Sequence, residues 1–176
     1  EDAHDRMTQL IDDLLALARQ GRTVDDIEPV PLDEAAERAW RTVDTAGATL
    51  DASAATDAVD ADPERLRTLL ENLFTNSVEH GSTSSRATPD DGVEHGSDDA
   101  DDLTVSVGSL PDGFYVADDG RGFDIDPEAA TEYGRSSTPD GTGFGLAIVR
   151  EIAAAHGWEL SVDDRDGARF EFRPES

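Results

Sequence analysis

The chain has 176 residues, enough for one domain of ordinary size with its own buried core and a small appendage. Its 41 acidic residues stand against 14 arginines and no lysine, a formal net charge of -27 that repels polyanions and argues against nucleic acid and anionic membrane as partners. The absence of cysteine excludes disulfides and thiolate metal sites, and none of the four histidines (His4, His80, His95, His156) has metal-ligand spacing.

Met7, Leu10, Ile11, Leu14, Leu15 and Leu17 recur at intervals of three and four, which predicts an amphipathic helix over 5–21 with no partner helix in this chain. The chain opens on Glu1 rather than methionine, so it is expected to be part of a longer protein. No signal peptide is expected, and no apolar run approaches the ~18 residues of a membrane span. A polar hinge over 21–28 precedes a strand near 30–32, a helix over 33–43, and strands near 49–53 and 58–60. Asp62-Pro63-Glu64 is a helix start, with an acceptor side chain at the cap and proline at the first helical position.

That helix is apolar at Leu66, Leu69, Leu70, Leu73 and Phe74, so Asn72 and Asn76, four apart, leave it on one side. Neutral amide oxygens suit a hydrated magnesium ion that keeps nucleotide phosphates among its ligands. Val78-Glu79-His80-Gly81-Ser82 returns as Val93-Glu94-His95-Gly96-Ser97, and the polar sequence around the copies reads as an inserted surface loop. Strands follow over 103–107 and 113–117, joined by a turn at Pro111-Asp112-Gly113.

Asp118 ends the second of these strands, and Gly120 and Gly122 at alternate positions permit a sharp turn and close backbone approach to a flat base. The Asp118 carboxylate can accept a hydrogen bond from an adenine amino group. A polar segment over 124–140 leads to Gly141-Thr142-Gly143-Phe144-Gly145-Leu146, which opens a helix over 142–155 and presents bare N–H groups and a positive dipole end to phosphate. Gly157 is the expected stop, and strands over 160–162 and 168–172 form a hairpin across Asp166-Gly167. The element order predicts an α+β fold, a two-layer α/β sandwich of a mixed sheet with three helices on one face.

The three segments Glu71-Asn72-Leu73-Phe74-Thr75-Asn76, Asp118-Asp119-Gly120-Arg121-Gly122 and Gly141 to Gly145, in this order, describe a pocket for ATP. They resemble the N, G1 and G2 boxes of the ATP-binding domain of sensor histidine kinases, in the superfamily that also holds gyrase and the heat-shock chaperone ATPases, and the resemblance covers 29–173. It implies an ATP-binding domain over 29–176 with an insertion at about 81–101, a linker over 23–28, and, over 1–22, the second helix of a dimerisation and phosphoacceptor bundle. By the same resemblance Asp118 reads adenine, Gly120 and Gly122 admit the base, and Gly141, Thr142, Gly143, Phe144, Gly145 and Leu146 cradle the phosphates. Asn76 holds magnesium with Asn72 beside it, and 124–140 is the lid over ATP.

The family's other properties enter as expectations of the same kind. They are a homodimer in the full-length protein, an upstream phosphoacceptor helix, a response regulator as partner, and a cytoplasmic location for this domain, with the parent protein either soluble or membrane-attached. The acid-rich, lysine-free composition suits molar salt, where the Debye length shrinks to ~3 Å, and the sequence looks haloarchaeal.

The chain departs from the pattern in places. Hydrolases of the superfamily carry a glutamate four residues before the magnesium asparagine, where this chain has Asn72; an amide is no general base, which favours phosphoryl transfer over hydrolysis. Many relatives have a basic residue where this chain has Glu79, so Arg135 or His80 is left to supply positive charge, and the lid retains only Glu132-Tyr133-Gly134-Arg135-Ser136 of the family's aromatic box. His4-Asp5 shares little with the receiving-histidine motif and reads as a solvated helix end, which puts the phosphoacceptor outside the chain. No catalytic base is assigned. The alternatives are a degenerate ATP-binding module that regulates a partner by docking, and an ATPase.

Overall fold

Apolar residues at helical spacing and at alternate strand positions converge on one core in the computed structural model, which describes residues 26–45, 47–82, 103–120, 145–163 and 167–175 together with Thr8, Ile11, Leu15 and Val24. The elements are β1 (Glu28–Pro31), α1 (Leu32–Thr42), β2 (Thr49–Ala54), β3 (Ala58–Ala61), α2 (Pro63–Ser82), β4 (Thr104–Leu110), β5 (Gly113–Asp118), α3 (Gly145–Ala155), β6 (Trp158–Asp163) and β7 (Arg169–Pro174). Five strands form a sheet in the order β2-β4-β5-β7-β6, with β2 and β4 parallel and every other pair antiparallel. The α+β sandwich expected from the element order is therefore the fold observed.

Alternation along the central strands separates the two faces of the sheet. Val105, Val107, Phe114, Val116, Phe170 and Phe172 are buried toward the helices, while Tyr115, Arg169 and Glu171 lie between them on the opposite face. Leu66, Leu69, Leu70, Leu73 and Phe74 of α2 are fully buried against them, and each contributes roughly 2 kcal/mol by leaving water. Phe114 and Phe172 stack at 4.8 Å, and Trp158 meets Phe114 edge-on at 5.4 Å.

Two expectations shift in detail. The first strand ends at Pro31, and helix α1 starts at Leu32 with no side-chain cap. The reason is burial: Leu32 is fully enclosed in the core, and a helical start places it there. Strand β1 also does not join the main sheet but pairs with β3 as a separate antiparallel ribbon. The start of α2 is as expected, since Asp62 Oδ1 accepts the N–H groups of Glu64 (3.0 Å) and Arg65 (3.2 Å).

Helix α3 stops at Gly157, whose φ of 69° suits glycine. One residue earlier His156 ties the helices together: its Nδ1 donates to the Ile152 carbonyl (2.7 Å) and its Nε2 accepts the N–H of Asp62 (3.1 Å), the residue that caps α2. The ring stacks on Trp158 at 4.3 Å.

Thr8, Ile11 and Leu15 are helical, and Ile11 and Leu15 are about half exposed. The rest of the expected helix over 5–21 lies outside the described residues, as do the second copy of the repeat, the segment 124–140 and the centre of the β6–β7 turn. The first copy of the repeat forms the last turn of α2. Among the described residues no helix is long and apolar enough to cross a membrane.

Candidate functional site

The helical periodicity that buries Leu69, Leu70, Leu73 and Phe74 leaves Asn72 and Asn76 on the flank of α2 where α3 begins. Asn72 Nδ2 donates to the Thr68 carbonyl at 2.7 Å. A carbonyl accepts only a donor, so this bond fixes the amide and leaves Oδ1 facing Gly145. A Cβ built on Gly145 would stand 3.3 Å from Asn72 Oδ1, 3.3 Å from Asn76 Nδ2 and 3.5 Å from Asn76 Oδ1. Gly145 thus lets the start of α3 approach two amides more closely than a side chain would comfortably allow.

Asn76 Nδ2 is the buried side-chain polar atom that lacks a hydrogen-bond partner among the described residues. Such a group costs about 1–3 kcal/mol when left unpaired. Glu71, the acid next to Asn72 in sequence, accepts from Arg67 Nε one turn earlier on α2 (2.8 Å) and from Thr42 Oγ1 at the end of α1 (2.8 Å).

Asp118, at the end of β5, is 9% exposed. Its Oδ1 accepts the N–H of Gly120 (3.1 Å) and the N–H of Ala168 (3.2 Å), and its own N–H donates to the Ala168 carbonyl (2.8 Å). Asp119 closes the neighbouring strand end by accepting the Thr104 N–H on Oδ1 at 2.8 Å.

Of the residues expected to contact nucleotide, Asn72, Asn76 and Gly145 come together at the start of α3, and Asp118 and Gly120 come together at the end of β5. Leu146 packs its side chain into the core, which leaves its main chain for any ligand. His80 occupies the last turns of α2, and its side chain lies outside the described residues, as do Gly122, Arg135, Gly141, Thr142, Gly143 and Phe144. Gly167 and Ala168, read from sequence only as part of a hairpin, prove to be partners of Asp118.

His156 and Glu171 are among the titrating groups perturbed away from these clusters. Burial pushes the His156 imidazole below the usual histidine range, against the opposing pull of its bond to Ile152 and the charge of Asp62. Glu171 lies on the open face of the sheet, where its hydrogen bond from Arg169 (2.8 Å) holds the carboxyl below its ordinary value, with Arg173 adding to the effect. The Arg169 guanidinium also lies 4.0 Å over the Tyr115 ring.

Residues 61–176 match the family of histidine kinase-, DNA gyrase B- and HSP90-like ATPases. The chain belongs to this family. Within it, this ATPase-family domain is of the catalytic, ATP-binding kind found in sensor histidine kinases. It is 30% identical over 174 residues to the sensor histidine kinase ZraS of Klebsiella oxytoca, an alignment covering 93% of this chain and 34% of the relative. The fold is similar to that of full-length ShkA in complex with AMPPNP, with a TM-score of 0.62 and 24% identity over 99% of this chain and 37% of that one. It is also similar to the ATP binding domain of PrrB from Mycobacterium tuberculosis, with a TM-score of 0.52 and 27% identity over 86% of this chain and all of that one. The chain spans about a third or less of the length of most of the curated relatives it matches.

Proposed function

We propose that residues 29–176 are the catalytic domain of a haloarchaeal sensor histidine kinase, which transfers the γ-phosphate of ATP to a histidine outside this chain. Residues 1–22 are then the end of a dimerisation and phosphoacceptor bundle, which in the full-length homodimer acts in the cytoplasm and passes phosphate to a response regulator. The observation that carries the reading is the close approach of Gly145 to Asn72 Oδ1 and to Asn76, whose buried Nδ2 has no hydrogen-bond partner among the described residues. A buried amide donor left unpaired among the described residues, beside a glycine at the start of a helix, is suited to a ligand rather than to packing.

The donor set fits hydrated magnesium. Among the described residues no three or more His, Cys, Asp or Glu side chains could hold a metal, so a cation there would keep most of its ligands from water and phosphate, as magnesium does. A half-turn of the Asn76 amide exchanges Nδ2 for Oδ1 and presents an acceptor to such an ion. Magnesium held by Asn76 would neutralise charge on the β- and γ-phosphate oxygens. Asp118 would accept from the adenine amino group, with Gly120 and Gly122 leaving room for the base. Gly141, Thr142, Gly143, Phe144, Gly145 and the Leu146 main chain would cradle the phosphates, with Arg135 or His80 adding positive charge.

The residues around Asn72 favour transfer over hydrolysis. Its amide nitrogen is committed to the Thr68 carbonyl, and the neighbouring Glu71 carboxylate is engaged by Arg67 and Thr42. An amide is no general base, and the Glu71 Oε1 is drawn to Arg67 and Thr42, which disfavours either group as the base for an attacking water. The haloarchaeal assignment is supported by the -27 charge and the absence of lysine.

The test is transfer of labelled phosphate from ATP to the protein extended upstream to include its receiving histidine. The expected result is acid-labile label on that histidine with little free phosphate. Free phosphate without labelled protein would favour an ATPase, and neither product would favour a binding module.

A further inference from the structure

Asp118 is a nearly buried carboxylate with only one oxygen satisfied by the described residues. Oδ1 accepts two backbone N–H groups, from Gly120 and from Ala168, while Oδ2 has no partner among the described residues. Ala168 lies fifty residues further along the chain, so the carboxylate is held by a contact that only the folded sheet creates. The exchange is reciprocal, because the Asp118 N–H donates to the Ala168 carbonyl at 2.8 Å. Ala168 is itself buried in the core and cannot shift independently of β7.

Gly167 sets how closely this segment approaches. Its φ of 96° lies in the left-handed region, where a side chain is strained. A Cβ there would also overlap the Asp118 carbonyl oxygen and stand 3.2 Å from the Gly120 carbonyl oxygen. Both obstacles are main chain, which cannot swing aside as the end of a long side chain can. A side chain at 167 therefore has to displace the strand end that carries Asp118.

We propose that Gly167 and Ala168 are positioning residues for nucleotide recognition, holding the Asp118 carboxylate so that Oδ2 alone is offered to the adenine 6-amino group. The inference rests on the ATP-site reading given above. The Ala168 N–H anchors one oxygen, and the missing side chain at Gly167 lets that N–H reach it. Disturbing the pair should cost recognition of the amino group specifically, not binding of phosphate.

The experiment compares ATP with purine riboside triphosphate, which carries hydrogen in place of the 6-amino group, by calorimetric titration of the wild-type chain and of Gly167→Ala. Wild type should prefer ATP by about tenfold or more, and Gly167→Ala should lose most of that preference while its affinity for the analogue changes by less than about twofold. Wild type that binds neither nucleotide would overturn the ATP-site reading itself. Wild type that prefers ATP beside a folded Gly167→Ala with the same preference would overturn the positioning role alone. Should the variant fail to fold, the wild-type amide resonance of Ala168 decides: it should shift with ATP and not with the analogue, and an equal response to both would contradict the proposal.

Discussion

Asn76 and Gly145 meet at the seam between α2 and α3, where a Cβ on the glycine would stand 3.3 Å from the asparagine Nδ2. That spacing is too tight for comfort and too loose for a clash, so a methyl group there would nudge the amide aside without breaking the helix pair. Alanine also favours a helix over glycine by roughly 0.5–1 kcal/mol. Gly145→Ala is therefore expected to keep or raise the melting temperature while weakening magnesium-ATP binding by about tenfold. A thermal melt and a titration on one sample check both halves, and a variant that loses stability but keeps affinity would count against this seam being a ligand site.

Asn76→Ala should separate stability from function in the same way. The substitution removes a buried donor with no partner among the described residues, relieving a penalty of about 1–3 kcal/mol at the cost of a small void. The expected outcome is an unfolding free energy equal to or above wild type, with nucleotide binding that no longer depends on magnesium. Urea unfolding and titration with and without magnesium measure the two effects. Retained magnesium dependence would remove Asn76 from the metal site.

Much of this was legible in the sequence because periodicity and turn chemistry are local. The spacing of Leu66, Leu69, Leu70, Leu73 and Phe74 located α2 and the side its asparagines leave, and Asp62-Pro63 located its start. Contacts between distant segments carried no such signal. Asp166-Gly167 reads as an ordinary hairpin turn, and nothing local says that Gly167 must lie against Asp118. His156 is one of four histidines without ligand spacing, yet it bridges α3 to the cap of α2. Leu32 reads as a strand end beside two prolines, and only its burial makes it the first residue of a helix.

His156 gives a pH dependence whose sign can be worked out. Its folded pKa lies below the usual histidine value, chiefly because burial disfavours the imidazolium, so the native state holds the neutral ring that accepts the Asp62 N–H. The unfolded histidine titrates near about 6.5. Its contribution is present above that pH and is lost as pH falls from there through the depressed folded value. His156→Gln keeps a donor and an acceptor but cannot titrate. The unfolding free energy of wild type should therefore decline more than that of the variant between about pH 7.5 and about pH 5. Parallel curves would show that His156 does not couple protonation to stability.

Salt should stabilise the fold strongly. At about 0.01 M the Debye length is ~30 Å, longer than the domain's radius, and the -27 charges repel one another throughout the folded state. The ion pairs among the described residues do little to offset this, since most are exposed and worth about 0–1 kcal/mol each. The melting temperature is expected to rise steeply between about 0.1 M and about 2 M KCl. A flat or falling melting temperature would contradict the halophilic reading.

The central claim is that this domain reads ATP through Asp118, and calorimetric titration of magnesium-ATP into wild type and Asp118→Ala, in molar salt with folding verified for both, tests it most directly. A buried hydrogen bond to a charged group contributes about 1.5–3 kcal/mol, so the substitution should weaken binding by roughly ten- to a hundred-fold. Equal affinity in the two folded proteins would contradict the account.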